Sequence, residues 1–197
     1  MKKFLPWLLI GGLLIIGIFW YIGVRNGAVT VNEQVKKSWG NVETSYQRRN
    51  DLIGNLVKTV KGAADFEKST LEAVVNARAK ATATTIDPSN ITPEQLKAFN
   101  DAQSGVSSAL SRLLVTVESY PDLKANQNFL KLQDELASTE NQILTARTRF
   151  NEAVEEYNNY VLKMPRSIAL SDYKEKAYFD AVAGAEKPVD VEFDFSK

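Results

Sequence analysis

Among its 197 residues the chain has no cysteine and no histidine. That removes thiolate nucleophiles, thiolate metal sites, disulfides and imidazole acid–base chemistry. It also removes the Glu-x-x-His pairs on which di-iron helical bundles depend. Carboxylate, guanidinium, amide and hydroxyl groups remain. Carboxylates without a histidine, a cysteine or a recognisable nucleophile leave only unaided acid–base work, so the expectation is a protein that is not an enzyme and uses no cofactor.

Two polar clusters have spacings that matter. Arg48, Arg49, Asp51 and Asn55 crowd one stretch. Farther along, Gln133, Glu140, Arg147, Asn151 and Asn158 follow at steps of 7, 7, 4 and 7. On a helix those steps place them on one flank, beside the apolar seam. Arg49 itself falls where an apolar seam residue is expected, and Glu140 is its first candidate partner. Such groups can fix helix register through hydrogen bonds and ion pairs, at a cost in stability. The sharper alternative is the lining of a ligand pocket. Asp65, Glu67 and Glu72 could bind a hard cation, but no loop has EF-hand spacing. With Lys61 and Lys68 among them they read as a solvated helix face, and no metal is expected.

Trp39, Tyr46, Phe66, Phe129, Phe150 and Tyr157 occur at helical spacing without interleaved base clusters, the pattern of a core and not of a base-stacking platform. Lys+Arg and Asp+Glu both number 24. Lys2, Lys3 and Arg25 all precede the first acid, which leaves 21 bases against 24 acids beyond Arg25. No basic surplus exists to neutralise phosphates, so nucleic acid is not an expected partner.

The elements that must position these groups begin with residues 4–24, a run of 21 without a charge after a short tail, 1–3. It spans roughly 31 Å as a helix, close to the hydrocarbon thickness of a bilayer. Trp7 lies near one end and Trp20-Tyr21 near the other, where amphipathic rings prefer the interface. The core is too long for a signal peptide, and Asn26-Gly27-Ala28-Val29 is a poor cleavage site. An uncleaved single-pass anchor in a bacterial cytoplasmic membrane is expected. Lys2 and Lys3 argue for a tail inside and a domain on the extracytoplasmic side. Removing residues 1–25 should release a soluble helical domain.

Residues 25–30 read as a short Gly-containing link. Val31 to Asn76 then reads as one long amphipathic helix, with Val31, Val35, Trp39, Val42, Tyr46, Ile53, Leu56, Val60, Ala63 and Leu71 at steps mostly of three and four. Gly54 and Gly62 inside it either admit a neighbouring helix or mark a kink. Threonines and Pro88 end the alanine-rich continuation beyond Ala83. Thr92-Pro93-Glu94-Gln95 is a capping box that starts a second helix, which ends at Tyr120-Pro121-Asp122. A third runs from about Leu123 to Lys163, and Met164-Pro165 closes it. The bundle thus occupies 31–165. Residues 166–197 are expected to hold a short helix around Tyr173 to Ala183. A strand-like alternation follows from Val189 to Phe195, ordered on a second chain or frayed.

The words Gln47-Arg48-Arg49-Asn50-Asp51-Leu52-Ile53-Gly54-Asn55-Leu56-Val57 and Thr59-Val60-Lys61-Gly62-Ala63-Ala64 resemble the signature of the LemA family of bacterial membrane proteins. Tyr120-Pro121-Asp122-Leu123-Lys124-Ala125-Asn126, Glu140-Asn141, Arg147 and Tyr157-Asn158 follow in the same order. The resemblance covers the chain from the anchor to about Pro165, with Gly54 standing where the family more often has proline. It implies a four-helix-type bundle, complete if the short helix near Tyr173 is the fourth, and by itself implies no activity. Apolar seams and short loops agree on an all-α fold: a transmembrane helix followed by an elongated antiparallel up-and-down bundle. The expected role is a scaffold that self-assembles as a homo-oligomer or organises other envelope proteins, or alternatively a solute-binding or sensing module.

Overall fold

The computed structural model describes residues 5–62 and 66–179, and among them no strand forms. The described residues form six helices in order: α1 (Leu5–Lys61), α2 (Lys68–Ala83), α3 (Pro93–Val117), α4 (Pro121–Lys124), α5 (Gln127–Leu162) and α6 (Arg166–Ala169).

Helix α1 is continuous over 57 residues, or about 85 Å. Trp7, Leu13, Ile16 and Phe19 on its first part are exposed, and it is the one described helix long and apolar enough to cross a membrane. From Val24 onward a buried stripe appears: Val24, Ala28, Val31, Val35, Trp39, Val42, Tyr46, Ile53, Leu56 and Val60. The expected link at 25–30 is therefore corrected to helix. Tertiary contacts override the low helix propensity of Asn26 and Gly27. Ala28 is fully buried, and Tyr160 lies so close to Gly27 that an added Cβ would stand 1.9 Å from its hydroxyl. The Tyr160 hydroxyl donates to the Val24 carbonyl at 3.2 Å, and Arg25 pairs with Asp172 at 2.6 Å. A cut after Arg25 would thus take Val24 and the Arg25–Asp172 pair away from the bundle's base.

The long helix expected up to Asn76 ends instead at Lys61. Lys58 and Lys61 in the last turn suit the negative end of the helix dipole. The chain reverses, and α2 runs back with Val74 packed in the same core as Ile53, Leu56 and Val60. Gly54 marks no kink: α1 runs through it, and the bare backbone there admits the Arg78 guanidinium, 3.4 Å from where a Cβ would sit. Helix α3 begins with the expected box. The Gln95 amide donates to Thr92 Oγ1 at 3.3 Å, and the Thr92 amide donates to Gln95 Oε1 at 3.1 Å. The third long helix starts later than Leu123, after the single turn α4. Asn126 Oδ1 caps it, accepting from the amides of Asn128 and Phe129.

After α6, residues 173–179 form an extended strap and not the helix expected near Tyr173. The fourth helix of the bundle is α2. The alternation from Val189 to Phe195 lies outside the described residues.

Two cores result. The one next to the anchor is aromatic, with Trp39, Tyr46, Phe99, Phe150, Tyr157 and Phe179 among aliphatic neighbours. The distal one is mostly aliphatic, with Ile53, Leu56, Val74, Val106, Leu113 and Leu136.

Candidate functional site

The polar residues of interest sit at the boundary of these cores and along the aromatic one. Arg49 is buried to 2 % exposure, because its place on α1 faces both α3 and α5. Its Nη1 donates to Glu140 Oε1 of α5 at 3.0 Å and to Ser107 Oγ of α3 at 3.4 Å, while Nη2 donates to Gln103 Oε1. The guanidinium lies 4.8 Å from the centre of the Tyr46 ring. Glu140 keeps about half its side chain in water (47 % exposed), so its charge is stabilised by solvent as well as by Arg49. Burial pushes the Tyr46 hydroxyl above its ordinary pKa, against the opposing pull of Arg147 and Arg49. Gln103 stood at a heptad position among apolar residues, and that was the available signal for its role. Asn50, the next residue, donates from Nδ2 to Thr82 Oγ1 of α2 at 3.4 Å.

Asn151 and Asn158 do not link helices; they hold the strap. Asn158 Oδ1 accepts from the Lys176 amide and its Nδ2 donates to the Lys176 carbonyl, both at 2.9 Å. Asn151 does the same for Phe179, at 2.9 Å and 3.0 Å. The match is geometric. Seven residues of helix advance about 10.5 Å, and three residues of extended chain advance about 10 Å, so one pair of side-chain amides meets one pair of backbone amides in register. The Tyr157 hydroxyl adds a bond to the Lys174 carbonyl at 3.1 Å. Arg147 lies over the Phe179 ring at 4.6 Å.

The strap carries two buried side chains into the bundle. Phe179 stacks on Trp39 at 5.9 Å and 17°, and meets Phe150 edge-on at 5.3 Å. Trp39, only 1 % exposed, also contacts Phe99 and Phe150, and its Nε1 has no hydrogen-bond partner among the described residues. Lys176 reaches the other way: its Nζ donates to the carbonyls of Pro88 (3.1 Å) and Ser89 (2.8 Å) and lies 5.0 Å from the Tyr157 ring centre. Burial, and then Lys36, lower its pKa, with Asp87 opposing. Tyr157 is pushed up to about 12, first by burial and then by Tyr173 and Asp172. Neither Lys176 nor Phe179 had any mark in the sequence as a partner of the α5 asparagines.

The other sequence candidates are not brought together. Arg48 and Asn55 are exposed. Asp51 accepts from Gln47 Nε2 at 3.1 Å and lies 4.0 Å from Arg78, on the open face between α1 and α2. Gln133 is exposed as well. An open polar groove of about 390 Å³ runs between α1 and α5, lined by Asn41, Ser45, Asn141, Gln142, Thr145 and Arg149 among others. Chemically the buried cluster is a lock. Arg49 spends both terminal nitrogens on protein acceptors, Asn151 spends its whole amide on backbone, and Asn158 Nδ2 adds a bond to the Tyr178 hydroxyl at 3.3 Å.

The sequence model of the LemA family matches residues 38–193, which begins beyond the anchor and reaches past Pro165 to include the strap. Magnetosome protein MamQ 2 of Paramagnetospirillum magneticum is 28 % identical, over 83 % of this chain and 67 % of that protein. Magnetosome protein MamQ of Magnetospirillum gryphiswaldense is 27 % identical over the same shares. Protein LemA of Metamycoplasma hominis is 25 % identical, over 76 % of this chain and 65 % of its own length.

Proposed function

The chain belongs to the LemA family, and on that premise we propose that it is a membrane-anchored scaffold of the bacterial envelope. It self-assembles or organises partner proteins, and does so without catalysis. The observation that carries this reading is the unbroken α1, which passes from exposed apolar anchor to buried bundle stripe with no hinge. A helix of that kind turns the bundle into a rigid post whose long sides face its neighbours in the membrane plane. Exposed large apolar residues away from the base are dispersed over α2, α3 and α5, at Val75, Val115, Leu130 and Leu144. Lateral contacts therefore rest largely on polar surface. The reading places the protein as a single-pass component of the cytoplasmic membrane, with Lys2 and Lys3 inside and the bundle on the extracytoplasmic side.

The solute-binding alternative has less support. Small-molecule sites bury most of their ligand, whereas the polar groove between α1 and α5 is open along its length. The decisive experiment is the mass of the detergent-solubilised full chain, with every co-purifying chain identified. A species well above the 21.9 kDa monomer, or a stoichiometric partner, is expected. A bare monomer would remove the scaffold reading.

A further inference from the structure

At the end of α5 the apolar surface is not dispersed. Leu162, Met164 and Ile168 are all exposed, the last two to 71 % and 68 %, within one corner formed by α5 and α6. This corner packs beside α1 at the base of the bundle. Its level along the membrane normal follows from the register of the two long helices. Trp39 meets Phe150 and Arg49 meets Glu140, so each step forward on α1 is one step back on α5. The same register sets Leu162, the last residue of α5, level with Gly27. That is three residues, or about 4.5 Å, beyond Val24, where the uncharged run ends. The headgroup layer adds roughly 5–8 Å to each side of the hydrocarbon, so Leu162 lies within it, and the α5–α6 turn that follows it stays at this end of the bundle, against both α5 and α1.

The chemistry of the corner suits that depth. Lys163 is exposed, and the Arg166 guanidinium lies over the Tyr160 ring at 4.1 Å. Neither pairs with an acid among the described residues, while the nearby Asp172 is already taken by Arg25. Apolar tips flanked by free cations are what a surface needs to enter the boundary between acyl chains and anionic headgroups.

We infer that the α5–α6 corner is a second membrane contact: Leu162, Met164 and Ile168 enter the bilayer interface beside the anchor, and Lys163 and Arg166 meet anionic lipid phosphates. With two contacts, the anchor and the corner, the bundle has a fixed tilt and a fixed rotation about α1, and presents one chosen side to its neighbours. The inference rests on the anchor reading of residues 4–24 and adds an orientation to it.

The absence of cysteine makes the test clean. Full-length Met164→Cys and Ile168→Cys, labelled with an environment-sensitive fluorophore, are placed in vesicles of equal parts phosphatidylglycerol and phosphatidylcholine. Leu13→Cys in the anchor and Val115→Cys on distal α3 are the references. Lipids with a nitroxide near the headgroup should quench the labels at 164 and 168. Lipids with a deep nitroxide should quench the label at 13, and neither should affect 115. Labels at 164 and 168 that behave like 115, while 13 is quenched, overturn the inference and leave the anchor standing. An unquenched label at 13 overturns the anchor and the inference together. Disulfide-linked dimers through position 164 without lipid quenching would mean that a second copy covers the corner, which also overturns it. Adding Lys163→Glu should weaken shallow quenching at 168 in the mixed vesicles and leave it unchanged in phosphatidylcholine alone. Equal loss in both would show that the cation does not read anionic headgroups.

Discussion

The distal and membrane-proximal halves of the bundle cover the same two helices, α1 and α5, by different means. In the distal half the cover is helical: α2 lays Val74 and Ala81 on the aliphatic core, with α3 beside it. Helix α2 has 16 residues, about 24 Å, and ends before it can reach the aromatic core. There the first turns of α3 supply Leu96 and Phe99, and extended chain completes the cover: the 84–92 connection supplies Ile86 and Ile91, and the strap supplies Phe179. A helix satisfies its own backbone, so α2 asks nothing polar of its neighbours. An extended cover must place its buried amides and carbonyls on something else. That requirement explains why Asn151, Tyr157 and Asn158 stand on α5 where the distal half has none. It also explains the lysine. Lys176 offers its ammonium to the open carbonyls of Pro88 and Ser89, joining the two extended covers to each other.

The contrast is broken most severely in the aromatic core. Trp39→Ala should cost about 3–5 kcal/mol, measured by urea unfolding of the full chain in micelles. Leu56→Ala in the distal core should cost about 2–5 kcal/mol. Because the two sites lie about 25 Å apart along α1, the double variant should equal the sum to within about 0.5 kcal/mol. A larger coupling would mean that the halves are one cooperative core. Arg49, on the boundary, comes next. Arg49→Ala should cost about 3 kcal/mol, since it orphans Gln103 and removes the buried stem. Glu140→Gln should cost less than about 1 kcal/mol, because its carboxylate is half in water. Equal losses for the two would show that the ion pair, and not the buried amide, holds the boundary.

A third and smaller effect isolates the strap. Asn158→Ala should destabilise by about 1–3 kcal/mol and expose the Lys176 amide to hydrogen exchange, while amides in the middle of α3 stay protected. Uniform loss of protection along the chain would contradict a locally held cover. The smallest effect is one of pH. Tyr157 holds its proton to about 12 when folded, whereas the unfolded side chain ionises near 10, so stability falls as pH rises across that interval. Lys176 acts with the opposite sign below it. The unfolded state binds its proton up to about 10.5 and the folded state releases it earlier, so stability rises with pH until that point. Tyr157→Phe should therefore flatten the alkaline decline in melting temperature above pH 10 without altering the trend below it. An unchanged decline would place the alkaline sensitivity elsewhere.

The sequence by itself determined the membrane-length run, the apolar stripes of the long helices and the Thr92 capping box, and it singled out Arg49 with Glu140 as first candidate partner. Each of these is written locally: a run of uncharged residues, a spacing of three and four, a hydroxyl three residues before an amide, a charge on an apolar stripe. The tertiary structure alone decided that the helix reverses after Lys61, that residues 25–30 are helical, and that the α5 asparagines serve a strap. Periodicity reports which face of a segment is apolar, and Leu71 and Val74 keep that period whether the helix continues or folds back. Gly27 is a weak helix former until Tyr160 fills the space it leaves. An asparagine beside a seam is equally suited to another helix or to a backbone. Asn158 met Lys176, and Asn151 met Phe179, only because a short α2 left the aromatic core to be closed by chain that could not satisfy itself.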